Sequence, residues 1–185
     1  TPSFNTTHSL ADRIHDVKLS PDFATDKGIV VLAEDEDATN ETIISFNVNG
    51  GAWGSAVDAI VDGDAEIPSI IGAGSIALPD DFNILTSPFF YVGFWGHQSG
   101  EGVLRILGDS TDTTAVRLPA FDTGGVYYDV GVRYLDAFGN FNNCSLVAGT
   151  DDGSVSSVIT STNAGATWTE GANVTGPTGG DVMVA

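Results

Sequence analysis

The side chains in this chain that could do chemistry are mostly carboxylates. Asp and Glu number 25, against 6 Lys and Arg and 3 His, for a formal net charge of −19. Hard oxygen ligands gather in two turn-like runs, EDEDATNE (34–41) and DGDAE (62–66). Ca2+ takes roughly six to eight oxygens, and alternate carboxylates in a tight loop supply several of them. Asp62, Asp64 and Glu66 alternate in this way, with Gly63 easing the turn, and are the expected Ca2+ ligands. The competing reading is a solvated acidic loop, since neither run has EF-hand spacing. Asp80–Asp81 and Asp151–Asp152 invite an acid/base reading as paired glycosidase carboxylates. Adjacent pairs are common in so acidic a chain, and neighbours on a strand point to opposite faces. His8, His15 and His97 sit in no nucleophile motif, and no Cys/His set has zinc spacing. Cys144 is the sole cysteine, so an internal disulfide is excluded and a free thiol is expected.

The charge balance sets the partners. A strongly negative field repels nucleic acid and anionic lipid and favours cations or a salty exterior. No run approaches the roughly 18 apolar residues of a membrane-spanning helix. Thr1 is not an initiator Met, and no signal peptide is present, which points to a processed or trimmed N-terminus. Sequons open at Asn5, Asn40, Asn143 and Asn173. Asn5, Asn40 and Asn173 fall in expected loops, where an N-linked glycan fits, whereas Asn143 directly precedes an expected strand.

The elements that must position these residues repeat along the chain. VKLSPDFATDKGIVVLAEDE (17–36), IALPDDFNILTSPFFYVGFW (76–95) and VRYLDAFGNFNNCSLVAGTDD (132–152) align, with Phe23, Phe82 and Phe138 in register at intervals of 59 and 56 residues. Val17, Ile76 and Val132 coincide in the same alignment. Trp53 and Trp168 lie 115 residues apart, the sum of those two intervals. Each unit holds four short β-favouring runs separated by Gly, Asp, Asn or Pro. No stretch of helical length has a convincing amphipathic period. A period of about 50–60 residues with four strands per unit is the signature of a β-propeller. The expected fold is therefore all-β, a propeller segment of about three four-stranded blades plus the start of a fourth, as part of a longer chain. Residues 14–70, 71–127 and 128–178 are the expected blades. Residues 1–13 end a preceding blade or linker. Residues 179–185, GGDVMVA, repeat the opening of the first strand, as in HDVKLS, and begin a further blade.

STNAGATW (161–168) resembles the Asp-box, the S-x-D-x-G-x-T-W turn of BNR, or sialidase-like, propellers. Ser161, Gly165, Thr167 and Trp168 match that pattern, and Asn163 replaces its Asp. LSPDFATDKGIVVLA is similar to blade openings of bacterial and archaeal cell-surface, S-layer-like repeat proteins. The resemblance implies that the box joins the third and fourth strands of a blade, closes the turn with polar side chains and packs its Trp between blades. That role is architectural. Sialidases of the family also use an arginine cluster, a Tyr nucleophile with a Glu partner, and an Asp acid/base. Here Arg117 falls on an expected outermost strand. Arg133, beside Tyr134 on an expected first strand, is better placed, but one arginine makes no cluster. Two function classes result. The first is a non-enzymatic extracellular or cell-surface building block or binding propeller, partnered by other subunits or further blades and open to carbohydrate. The alternative is part of a secreted sialidase- or xyloglucanase-like hydrolase.

Overall fold

The computed structural model describes residues 13–35, 41–48, 72–95, 102–109, 112–118, 131–151 and 156–171. Within them the chain is all-β, in three antiparallel sheets taken in chain order. The first sheet has β1 (Arg13–Leu19), β2 (Ile29–Asp35) and β3 (Glu41–Asn47). The second has β4 (Ala73–Ala77), β5 (Phe90–Trp95), β6 (Gly102–Asp109) and β7 (Asp112–Arg117). The third has β8 (Gly131–Phe138), β9 (Ser145–Asp151), β10 (Ser156–Ser161) and β11 (Thr169–Glu170). Each strand pairs with the next in sequence, so every sheet is a simple meander. The run AWGSAV (52–57), expected as the fourth strand of the first unit, and with it Trp53, lies outside the described residues.

The first strands of the three sheets are neighbours: β4 packs against both β1 and β8. The Asp16 carboxylate accepts from Ile76 N–H, and the loop after β1 bonds to the loop after β4, so β1 and β4 run in the same direction. Bulges at His15 in β1 and Arg133 in β8 break the two first-to-second strand ladders near their starts. An extra residue there tightens the local twist and re-aims one side chain.

The second sheet is buried on both faces, and its sequence shows why. In FYVGFW, Phe90, Val92 and Phe94 face the first sheet, where they meet Val30, Leu32, Ile44 and Phe46. Phe90 packs edge-on against Phe46, with ring centres 5.7 Å apart. The alternate residues of β5 face the third sheet, where Tyr91 joins Leu135, Phe141, Leu146 and Ala148. A strand buried on both faces has no reason to alternate polar and apolar residues, which explains the unbroken apolar run. Gly93 falls on the face toward the third sheet, and a Cβ there would collide with Val132.

The third unit departs from the expected alignment. Val132 and Phe138 do not match Ile76 and Phe82. Leu135 stands beside Ser75, and Phe141 is the buried aromatic that opens the loop turn. Phe138 is the last residue of β8 and is 49% exposed. The true intervals are then 59 residues from Phe23 to Phe82 and 59 from Phe82 to Phe141. The cause is a strand that runs on through LDAF to Gly139, whose φ of +88° makes the turn. A short helical turn, Phe23–Asp26, also appears after β1, where only a loop is expected from the sequence.

Gly93→Val should test the packing between the second and third sheets. Overpacking a filled interface costs about 1–3 kcal/mol. Thermal unfolding should shift down by several degrees, whereas Ser87→Ala, in the loop between β4 and β5, should leave the melting temperature nearly unchanged.

Candidate functional site

Of the carboxylates that suggested chemistry, Asp80 and Asp81 lie in the loop joining β4 to β5, beside the loop joining β1 to β2 with its Asp22 and Asp26. Asp26 is buried, and both of its oxygens are occupied. Oδ1 accepts from Gly28 N–H at 2.8 Å. Oδ2 accepts from the Ser20 hydroxyl at 2.7 Å and, across the sheet boundary, from Ile84 N–H at 3.2 Å. Asp22 Oδ2 takes the Asn83 side-chain amide at 3.2 Å. The same device recurs one unit on. Asp80 Oδ2 accepts from Gly139 N–H at 3.0 Å, and Asp81 Oδ1 from Phe141 N–H at 2.8 Å. Asp80 N–H returns a bond to Gly139 carbonyl oxygen at 3.0 Å. Hydrogen bonds to an ionised acceptor are about twice as strong as neutral ones. Pro21, Asp22, Asp80, Asp81, Phe82 and Asn83 line an open cleft of about 360 Å³ between the first two loops.

The adjacent pair Asp80–Asp81 is engaged with the main chain of the neighbouring sheet. Its two carboxylates each hold a different main-chain N–H of the third unit. Asp151 ends β9, and Asp152 lies outside the described residues.

A second cluster sits at the opposite end, where β1 begins. Glu34, fully buried on β2, is 3.0 Å from the Arg13 guanidinium and 3.1 Å from His15 Nε2. The His15 side chain is itself almost wholly buried. At the corresponding end of the third sheet, the Arg133 guanidinium lies 3.8 Å from the ring centre of Trp95. Cation–π contact of this kind fixes the guanidinium over the aromatic face. Sequence reasoning picks out Arg133 but misses the His15–Glu34 pair. The two residues are 19 positions apart and meet only through the β1–β2 ladder, whose register sets Arg13 opposite Glu34. An acid ending the apolar run GIVVLAE is the one visible signal.

The turn 161–168 joins β10 to β11, the third and fourth strands of its sheet. Ser161 Oγ accepts from Gly165 N–H at 2.9 Å and donates to Asn163 Oδ1 at 2.9 Å. Asn163 Oδ1 also accepts from Thr167 N–H at 2.9 Å, and Asn163 Nδ2 donates to Thr167 Oγ1 at 2.8 Å. Gly165 takes φ = +82° and presses against Leu118, at the end of the second sheet. Trp168 packs on the apolar cluster between the second and third sheets. These five residues thus close a turn and hold it to the neighbouring sheet.

Cys144 is a free, buried thiol whose Sγ lies 3.3 Å from the Tyr91 hydroxyl, which in turn donates to Phe141 carbonyl oxygen at 2.9 Å. Burial pushes both groups above their ordinary values of 9.0 and 10.0. The bond between them raises Tyr91 further and offsets part of the shift at Cys144. A protonated, buried thiol is a poor nucleophile.

Asp62, Asp64 and Glu66, the expected Ca2+ ligands, lie outside the described residues, as do Asn5, Asn40, Asn173, His8 and His97. Among the described residues, no group of three or more His, Cys, Asp or Glu side chains converges as a metal site requires. Arg117 is on β7, the fourth strand of the second sheet. Among the described residues, no helix is long and apolar enough to cross a membrane. No family model, curated protein or solved structure matches the chain.

The buried thiol and phenol should show themselves at alkaline pH. The folded state holds both protonated, while the unfolded chain ionises them from about pH 9 upward. Their contribution is complete below that pH and is lost as pH rises through the folded-state values. The melting temperature should therefore be flat near neutrality and fall above about pH 9. Tyr91→Phe should reduce that alkaline fall and cost about 1–3 kcal/mol at neutral pH by leaving Phe141 carbonyl oxygen without its donor.

Proposed function

We propose that this chain is a run of consecutive blades from an Asp-box type β-propeller, displayed outside the cell as a structural or binding block and not as a catalyst. One observation carries the reading. The carboxylates placed to do chemistry at the loop end, Asp22, Asp26, Asp80 and Asp81, each accept a hydrogen bond from the next sheet in the chain. Carboxylates held in this way position the sheets, and Asp26 has both of its oxygens engaged. The meander order of the sheets, their adjacent first strands and the repeat of 59 residues support the propeller part. Acid excess, two lysines in 185 residues and four sequons support an exterior, salt-rich setting. Further blades or other subunits would complete the assembly.

The reading expects no turnover of sialosides or β-glucans by the full-length protein. Hydrolysis that disappears in Arg133→Ala would overturn it in favour of a carbohydrate-active enzyme.

Calcium at Asp62, Asp64 and Glu66 belongs to the same proposal. A site that binds only the native state adds roughly 2.7 kcal/mol at a hundredfold excess of ligand over Kd. EDTA should lower the melting temperature, and Asp62→Ala with Asp64→Ala should abolish the difference. Identical melting in EDTA and in millimolar Ca2+ would leave a solvated loop instead.

A further inference from the structure

The repeat of 59 residues fixes which side chains of the first strands stand level with one another. Val17 and Leu19 are level with Ile76 and Leu78 in the second sheet and with Leu135 and Ala137 in the third. Ile14, just before the bulge in β1, is level with Val132, just before the bulge in β8. In the second and third sheets this row packs against the preceding sheet. Ile76 is fully buried at the first boundary, with Leu78 packed beside it. Val132, Leu135 and Ala137 are buried at the second. In the first sheet the same row is open: Ile14 is 52%, Val17 50% and Leu19 56% exposed. Their ladder partners Ala33, Val31 and Ile29 alternate with Leu32 and Val30 of the first boundary, so all three face away from the second sheet.

The row that meets the following sheet is open at the other end of the series. In the second sheet Ser75 and Ala77, with Pro79 just past the strand end, hold this row and are buried. The Ser75 hydroxyl donates to Leu135 carbonyl oxygen at 3.4 Å. One repeat earlier, Asp16 accepts from Ile76 N–H at 2.8 Å. Tyr134, Asp136 and Phe138 hold the same places in the third sheet. Leu135 and Ala137 face the second sheet, so these three face away from it. Tyr134 and Asp136 are only partly buried, and Phe138 is 49% exposed. Of the five large apolar side chains exposed among the described residues, four therefore lie on these two rows.

We propose that the two open rows are the halves of one further boundary, and that a second copy of this chain supplies the missing half. The outward face of its third sheet packs on Ile14, Val17 and Leu19. Tyr134 then brings a hydroxyl to the main chain at Val17, as Ser75 brings one to Leu135 and Asp16 a carboxylate to Ile76. The contact joins unlike faces, so it either closes a ring or continues as a filament. Two copies bring six described sheets, within the roughly four to eight blades of a closed propeller, whereas the three of one copy fall short and the nine of three copies overshoot. The expected assembly is a ring of two chains, and it rests on the propeller reading. Each chain carries a formal charge of −19, so salt should tighten the contact by screening the repulsion.

Sedimentation of the unsubstituted chain in about 0.5 M salt should give twice the 19.1 kDa of one chain. Val17→Asp with Leu19→Asp blocks one face, and Tyr134→Asp with Phe138→Asp blocks the other. These side chains are partly or half exposed, so each variant should still unfold cooperatively. Each variant alone should sediment as a monomer. An equal mixture of the two should dimerise again, at least about tenfold more weakly than the unsubstituted chain, because one sound junction of two remains. A mixture that stays monomeric, or one variant that dimerises by itself, overturns the pairing of unlike faces. An unsubstituted chain that stays monomeric at its highest soluble concentration also overturns the docking and leaves the sheet repeat standing. A mass that grows past two chains overturns the closed ring, and the propeller reading falls with it.

Discussion

The structure depends on aspartate carboxylates that accept main-chain N–H groups from the next sheet. Where first strands turn into second strands, the chain leaves its ladder and exposes N–H groups with no strand partner. A buried N–H left without an acceptor costs about as much as a lost hydrogen bond. Asp is short enough to bring a fixed, charged acceptor to that point with little rotamer freedom to lose. Asp26 uses this twice over, holding Gly28 within its own loop and Ile84 in the next. Asp81 repeats the link to Phe141. The loops are thus both the turns of one sheet and the clasps of the following one.

Between the loops, apolar side chains fill both sheet boundaries. The second sheet buries Phe90, Val92 and Phe94 on one side and Tyr91 on the other. Gly93, where a side chain would meet Val132, allows the third sheet to come close. The turn 161–168 adds a clasp at the outer strands, with Gly165 against Leu118 and Trp168 on the shared apolar cluster. Clasps at the loops and at the outer strands hold the sheets in a fixed relation. The ion cluster of Arg13, His15 and Glu34 uses its buried carboxylate in the same way, to tie strand ends together.

Much of this is legible in the sequence, because short strands bounded by turn residues follow directly from local chemistry. Four runs per unit and the place of STNAGATW between third and fourth strands read correctly in the third unit. The register of that unit does not, because Val132 and Phe138 mimic the spacing of Ile76 and Phe82, while the bulge at Arg133 and the extra length of β8 are invisible to alignment. The task of the acids is also hidden. For Asp26, Asp80 and Asp81 the partners are main-chain N–H groups, which every residue but proline carries, so no residue type 58 to 60 positions away announces the bond. Asp80 and Asp81 look like a chance pair for the same reason.

Amide exchange at Ile84 tests the clasp most directly. Its N–H is held by a carboxylate from another sheet, so its protection should depend on Asp26 and not on the strands of its own sheet. In Asp26→Ala, Ile84 and Gly28 should lose protection together, while Val92, deep in the ladder of β5, keeps its own until global unfolding. If Ile84 stays as protected in Asp26→Ala as in the unsubstituted chain, the carboxylate is not what joins these sheets.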